Sequence, residues 1–290
     1  MTDSRTISYQ GEPGANSHII CTQAYPDWTA LPCPTFEDAF AAVTEGRAQA
    51  AMIPIENSIA GRVADIHHLI PTSALNIVAE HFLPIHFQLM ALPGTRIEDV
   101  TSVHSHVHAL GQCRRIIRRL GLKAVVAGDT AGAAREVMEA HDPTRAALAP
   151  ALAAAVYGLD ILARDVEDEA HNTTRFVVFR PGAAPAAAGA GPTVTSFVFR
   201  VRNIPAALYK ALGGFATNGV NMSKLESYMV EGQFTATQFY AEVDGHPDEP
   251  GLARALDELA YFSRELRVIG TYPAHPFRDA AGRGVGWPRC

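Results

Sequence analysis

The chain is poor in the residues that would mark a metal scaffold, a nucleic-acid surface or a membrane span. Only four cysteines occur in 290 residues, Cys21, Cys33, Cys113 and Cys290, with no C-x-x-C pair and no regular spacing. That argues against a zinc ribbon and a disulfide framework and predicts free, mostly buried thiols. Positive charge is in deficit, with 24 Lys and Arg against 30 Asp and Glu, a net charge of −6. A nucleic-acid binder needs a phosphate-neutralising surface, which this balance does not offer. Long apolar runs are lacking as well. The Ala-rich stretch 146–157 is too short to cross a bilayer and is interrupted by Pro150. The first residues lead into a strand-like segment with no apolar leader core, so the sequence predicts a cytoplasmic protein without membrane contact.

Several catalytic signatures are missing too. Gly11 and Gly14 are not followed by a third glycine in dinucleotide-binding spacing, and neither a phosphate-cradling Gly-Lys-Ser/Thr loop nor a Gly-x-Ser-x-Gly elbow occurs. What remains is an ordinary globular composition, 48% apolar and 19% charged.

The sharpest break in composition is 181–192, Pro-Gly-Ala-Ala-Pro-Ala-Ala-Ala-Gly-Ala-Gly-Pro. Without charge, large side chains or period it reads as a linker between residues 1–180 and a module at 193–275, with a frayed tail at 276–290. Before the linker, strand-like and helix-like stretches alternate, which predicts a parallel or mixed α/β sheet. Helices are expected from Asn16, over 36–43, 111–120, 130–140 and 146–157. Strands are expected at 6–9, 50–55, in two pieces around Pro84, at 123–127 and at 174–179. Ligands of such sheets sit at the carboxyl ends of strands, so the loops after Tyr9, Ile55, Met90 and Ala127 are the first candidates. After the linker the order is β-α-β-β-α-β, a ferredoxin-like unit.

Three polar clusters interrupt apolar stretches: Pro54 to Gly61, Ser105-His106 running to Gln112-Cys113, and Asn172-Thr173-Thr174-Arg175-Phe176. Each alone reads equally as a cap or turn. Together they supply uncharged donors, a carboxylate, an imidazole and a guanidinium, a set suited to a small polyanion. The run His104-Ser105-His106-Val107-His108 also admits a metal reading, because His at i and i+2 share one face of a strand. With no carboxylate or thiol nearby in sequence, a polar loop is the favoured reading, and no metal is assigned. His67-His68 reads as ordinary helix packing.

These clusters, with the Gly-rich start 9–17 and the stretch 146–159 ending Tyr157-Gly158-Leu159, resemble the prephenate dehydratases with a C-terminal ACT domain over essentially the whole chain. The resemblance implies an α/β, two-lobed, periplasmic-binding-protein-like catalytic domain plus a ferredoxin-like βαββαβ ACT domain. One lobe would be about 1–80 with 160–180, the other 81–159. It implies cofactor-free decarboxylating dehydration of prephenate to phenylpyruvate, with Glu56, Asn57, Ser58, Ser105, His106, Thr174, Arg175 and Phe176 as site residues. Arg175, Asn57 and Ser58 are expected on the substrate carboxylates, and Thr174 as a donor to the leaving hydroxyl. Its proton would come through Glu56 or His106. Arogenate is the alternative substrate, and a non-catalytic amino-acid sensor the rival of another class.

For the ACT module the resemblance implies L-phenylalanine as effector and a homodimer or homotetramer. The effector residues would be Ala206, Ala207, Leu208, Asn218, Asn221, Glu226 and Ser227. Three departures stand out: Ala206 where the family has glycine, Tyr228-Met229 where it has Arg-Pro, and Val107-His108 where it has Pro-Gln.

Overall fold

The computed structural model describes residues 5–63, 66, 68–202, 204–229 and 236–278. They divide into two compact units, Met1–Ile66 with His81–Phe176, and His67–Glu80 with Val177–Cys290.

In the first unit the chain begins β1 (Thr6–Gln10), α1 (Asn16–Ala24), β2 (Thr29–Cys33), α2 (Phe36–Thr44), β3 (Ala50–Asn57) and β4 (Gly61–Arg62). Segment 67–80 of the second unit carries α3 (Leu69–Thr72) and the start of β5 (Leu75–Pro84), and the first unit resumes with the end of β5, then β6 (Gln88–Ala91), β7 (Ser102–Ser105), α4 (Val107–Gln112), α5 (Arg114–Arg119) and β8 (Lys123–Val126). The unit continues through α6 (Thr130–Ala140), β9 (Arg145–Ala149), α7 (Ala151–Tyr157) and β10 (Asp160–Ala163) to β11 (Thr173–Pro181). One sheet has the order β2-β1-β3-β11-β5, with β4 paired to β3, and the second has β10-β6-β9-β7-β8. This mixed α/β pair of sheets, joined at 85–87 and 164–172, is the two-lobed arrangement expected.

Local chemistry explains the elements. Thr35 caps α2 by accepting the Asp38 N–H at 3.1 Å, worth about 1 kcal/mol. Residues Ala50–Ile53 of β3 are wholly buried, as a strand covered on both faces requires. Gly14 sits at φ +92°, and a Cβ there would lie 2.7 Å from the Ala153 Cα, so only glycine lets this loop press against α7.

Three expectations change. The predicted helix 146–157 is strand β9 followed by α7, because Pro150 cannot continue a helical ladder but serves well as the cap before α7. The predicted helix 111–120 is two short helices, α4 and α5, broken at Cys113. Residues 160–163 pair with β6 in the second sheet, so the return to the first sheet begins at Thr173. Cys21, Cys33 and Cys113 are free and buried, and burial raises each thiol above its ordinary value. Cys290 lies outside the described residues, as does His67.

The second unit contains β12 (Thr193–Val201), α8 (Ala207–Thr217), β13 (Met222–Met229), β14 (Ala236–Asp244), α9 (Pro250–Phe262) and β15 (Ser263–Pro273), the ferredoxin-like βαββαβ order. Its sheet runs β13-β14-β12-β15. On one face Phe197, Phe199, Phe215 and Phe239 form the core with Leu252 and Leu259, and Phe197 stacks on Phe215 at 5.7 Å. The other face is polar and buried: Ser196 bonds the Tyr272 hydroxyl at 2.9 Å, and Tyr240 donates to Glu242. Edge strand β15 is covered by segment 68–80 of this same unit. Arg267 donates to the carbonyls of Ser73 and Ile70 at 2.6 and 2.8 Å.

The expected frayed tail starts too early. Arg278 donates to both carboxylate oxygens of Glu80 at 2.7 and 2.9 Å and to Glu242 at 3.1 Å. A guanidinium shared by two buried carboxylates anchors the chain beyond residue 275.

Ala206 has φ +60°, a left-handed conformation that costs a residue with a Cβ about 1–2 kcal/mol. Ala206→Gly is therefore expected to raise stability by about 1 kcal/mol. The check is the thermal midpoint of the full chain, and an unchanged or lower midpoint contradicts it.

Candidate active site

A cleft of about 620 Å³ opens within the first unit, lined from both sheets. The loops after β1, β3 and β8 contribute, as carboxyl ends of parallel strands should. The loop after Met90 does not, because β6 runs antiparallel to β9 and so ends at the opposite side of its sheet.

The cleft's polar centre is an amide ladder. Asn57 sits where β3 ends, and its Oδ1 accepts the backbone N–H groups of Ile59 and Ala60 at 3.0 and 2.8 Å. That fixes its Nδ2, which donates to Asn172 Oδ1 at 2.7 Å and to Thr174 Oγ1 at 2.9 Å. Asn172 in turn donates to Gln112 Oε1 at 2.6 Å. Because Thr174 Oγ1 already accepts from Asn57, its own proton is turned toward other acceptors. Among the described residues none takes it, which leaves that proton for a ligand.

Alternation along β11 sorts the motif at 174–176. Thr174 and Phe176 line the cleft, whereas Arg175 points to the other face of the sheet. There its guanidinium, only 4% exposed, pairs with Glu56 at 2.9 Å. Four of the eight expected site residues, Asn57, His106, Thr174 and Phe176, therefore line the cleft. The other four do not. Arg175 and Glu56 pair with each other behind the sheet, outside the cleft lining. Ser58 clamps the β3 turn, donating to the His171 carbonyl and accepting the Thr173 N–H, both at 2.9 Å. Ser105 is fully buried and donates to the Leu148 carbonyl at 2.6 Å.

His106 caps α4, its Nδ1 accepting the His108 N–H at 3.3 Å. The neutral ring therefore carries its proton on Nε2. Burial, reinforced by neighbouring His108 and partly offset by Asp129, lowers this imidazole below its ordinary value. That shift favours the neutral ring.

Three lining residues escaped sequence reasoning as site residues. Arg62 is the one Lys or Arg among the described lining residues, brought to the rim by β4 pairing back on β3, where Gly61 stands opposite Asn57 and Arg62 itself opposite Glu56. The sequence signal was a two-residue strand beyond the Asn57 turn, too short to show a period. Asp129 lines the cleft and caps α6 through Oδ1, which accepts the Gly132 N–H at 2.6 Å. Gln112 reaches it from the end of α4. Helix α1 also opens here, with Ala15, Asn16 and Ser17 in the lining and no side-chain cap on its first turn. Such an end favours an anion.

Among the described residues, His86, Asp165 and Glu167 are the one cluster whose atoms converge as cation ligands. They are absent from the cleft lining. His86 Nδ1 is bonded to Glu167 at 2.7 Å, and Glu167 also accepts the Phe87 N–H at 2.9 Å, so these groups pin the two crossings between sheets.

The two groups of expected effector residues in the second unit are separated. Ala206, Ala207 and Leu208 open α8 and Asn218 closes it, about 16 Å away at 1.5 Å per residue. Asn218 bonds the Gly214 carbonyl and Arg254, and Asn221 bonds Asp244 at 2.7 Å. Glu226 and Ser227 lie on edge strand β13, Ser227 exposed and Glu226 half-buried beside Lys224.

A family model described as prephenate dehydratase matches residues 7–183. The chain is 53% identical over 281 residues to a Komagataeibacter europaeus protein named bifunctional N-acyl-homoserine lactone acylase/prephenate dehydratase, covering 96% of this chain and 99% of that one. It is 36% identical over 282 residues to arogenate dehydratase/prephenate dehydratase 1, chloroplastic, of Arabidopsis thaliana, covering 92% of this chain and 71% of that one. The crystal structure of prephenate dehydratase from Arthrobacter aurescens in complex with L-Phe matches at TM-score 0.84 and 32% identity, over 96% of this chain and 97% of that one.

Proposed function

Because the chain belongs to the prephenate dehydratase family of lyases, we propose that its cleft converts prephenate to phenylpyruvate without a cofactor. The ring carboxylate leaves as carbon dioxide and its bonding pair closes the aromatic ring. The ring hydroxyl departs with one added proton as water, so the product ring is its own electron sink. The observation that carries this reading is the Thr174 hydroxyl, held by Asn57 with its proton turned to the cleft. A donor fixed in advance needs no reorganisation as negative charge develops on the leaving oxygen.

Carboxylate binding falls to the uncapped start of α1, in place of Arg175. The proton that completes the leaving water comes from the imidazolium form of His106, made a stronger acid by burial, in place of Glu56, and leaves a neutral imidazole behind. Phe176 and Phe87 line the cleft with apolar surface that keeps the ring carboxylate poorly solvated and favours its loss. The K. europaeus relative's name carries an acylase activity as well. The cleft hydroxyls of Ser17, Thr130 and Thr174 bond no imidazole among the described residues. The Ser102–His104 contact at 3.2 Å lies outside the lining, so the geometry favours the lyase.

We propose further that the ferredoxin-like unit is an ACT domain, that it binds L-phenylalanine as a feedback inhibitor, and that the cytoplasmic protein is a homodimer or homotetramer. The L-Phe complex of the A. aurescens relative supports this.

The test is a continuous assay of phenylpyruvate from prephenate, with and without L-phenylalanine, alongside thermal unfolding. Turnover is expected, with phenylalanine lowering it and raising the midpoint, as any native-state ligand must. A raised midpoint with no phenylpyruvate formed would instead make the chain an amino-acid sensor.

A further inference from the structure

Two of the sequence motifs, the loop at 11–14 and the stretch ending Tyr157-Gly158-Leu159, take no part in the chemistry of the cleft, yet they meet. Residues 12–15 follow β1 of the first sheet but dock on α6 and α7, which pack against the second. Ala15 is buried in one apolar cluster with Ala131, Ala134, Ala149 and Ala153. Gly14 lies so close to α7 that a Cβ would stand 2.7 Å from the Ala153 Cα. The Tyr157 hydroxyl donates to the Pro13 carbonyl at 2.9 Å, and Arg135 of α6 reaches Glu12 at 3.5 Å. Burial first, then the Glu12 charge, raise the Tyr157 hydroxyl above its ordinary value, so it keeps its proton and stays a donor.

The docked loop passes directly into α1, whose first residues Ala15, Asn16 and Ser17 line the cleft. The junction is stiff. The Ala15 N–H donates to the Glu12 carbonyl at 3.1 Å and the Gly14 N–H to His18 Nδ1 at 3.0 Å, and the His18 ring stacks on Tyr9. A displacement at Pro13 therefore carries the start of the helix with it. Tyr157 is absent from the lining, so it acts through the loop.

Resting on the carboxylate role given to the start of α1, we propose that Tyr157 is a positioning residue: by holding Pro13 it fixes the first turn of α1 against the opposite lobe, with its N–H groups set for the side-chain carboxylate of the substrate. N–H groups fixed in advance cost the ligand no ordering on binding. That carboxylate is retained in the product and is held alike in the ground and transition states, so losing the latch weakens binding more than chemistry.

The experiment measures kcat and KM for prephenate in the parent and in Tyr157→Phe, together with the inhibition constant of phenylpyruvate, which keeps the same carboxylate. The substitution retains the ring and deletes only the hydroxyl. KM and the inhibition constant are expected to rise together at least threefold, with kcat falling by a smaller factor than KM rises. A variant that merely loses folded protein shows a lower kcat at an unchanged KM. That pattern overturns the proposal, as does any rise in KM or in the inhibition constant below threefold, or a fall in kcat larger than the rise in KM. Each of these results leaves the lyase reading standing. A parent that forms no phenylpyruvate ends the lyase reading, and the proposal with it.

Discussion

Thr174→Ala is expected to lower kcat by about 10²- to 10³-fold, the usual loss when one positioned donor to a developing oxyanion is removed, with KM changed by only a few-fold. The split follows from the geometry. Thr174 Oγ1 accepts from Asn57 at 2.9 Å and keeps its proton for the departing hydroxyl, an interaction that strengthens only as the carbon–oxygen bond breaks. Carboxylate binding at the start of α1 stays intact. Deleting the hydroxyl also leaves one Asn57 N–H short of a partner, at a cost of about 1–2 kcal/mol in stability, so the thermal midpoint should fall by only a few degrees. Thr174→Ser keeps the donor and should retain kcat within about tenfold. Steady-state kinetics with prephenate decides it. An alanine variant within threefold of the parent would remove Thr174 from the chemistry.

Arg278→Ala is expected to be the most destabilising single change in the second unit. Its guanidinium serves Glu80, whose side chain is 0% exposed, and Glu242, at 1%. Removing it leaves two buried carboxylates without their shared cation. Breaking a buried ion pair from one side costs about 3–5 kcal/mol, which for a unit of this size lowers the midpoint by roughly 10 °C. Truncation after residue 275 should do the same, since it removes the same cation. Differential scanning calorimetry of the full chain measures both. A shift below about 2 °C for Arg278→Ala would show that the other partners of Glu80 and Glu242 suffice.

Much of the fold was legible because its signals are local. The α6 boundaries follow from Asp129 as cap and a helical period, and the βαββαβ order of the second unit follows from alternation and helical spacing in turn. Failures came where one residue type serves two states. Apolar Ala-rich sequence at 146–157 suits a buried strand as well as a helix, and only Pro150 marked the join. Asn57, His106, Thr174 and Phe176 were recognisable from their motifs. Arg175 and Glu56 lie outside the lining although they stand in the same motifs, because a motif records which residues occur together, whereas a strand sends neighbours to opposite faces.

Composition and pattern alone were enough for the class of protein: a two-part α/β chain whose polar clusters carry hydrogen-bond donors for a small anion. Tertiary structure alone decided which of those donors meet. Asn57 reaches Thr174 across 117 residues and Asn172 reaches Gln112 across 60, pairings that no local period encodes because they depend on strand order in the sheets. The same long-range packing turned one guanidinium away and brought Arg62 and Asp129 in, since strand pairing and helix capping set direction as well as position.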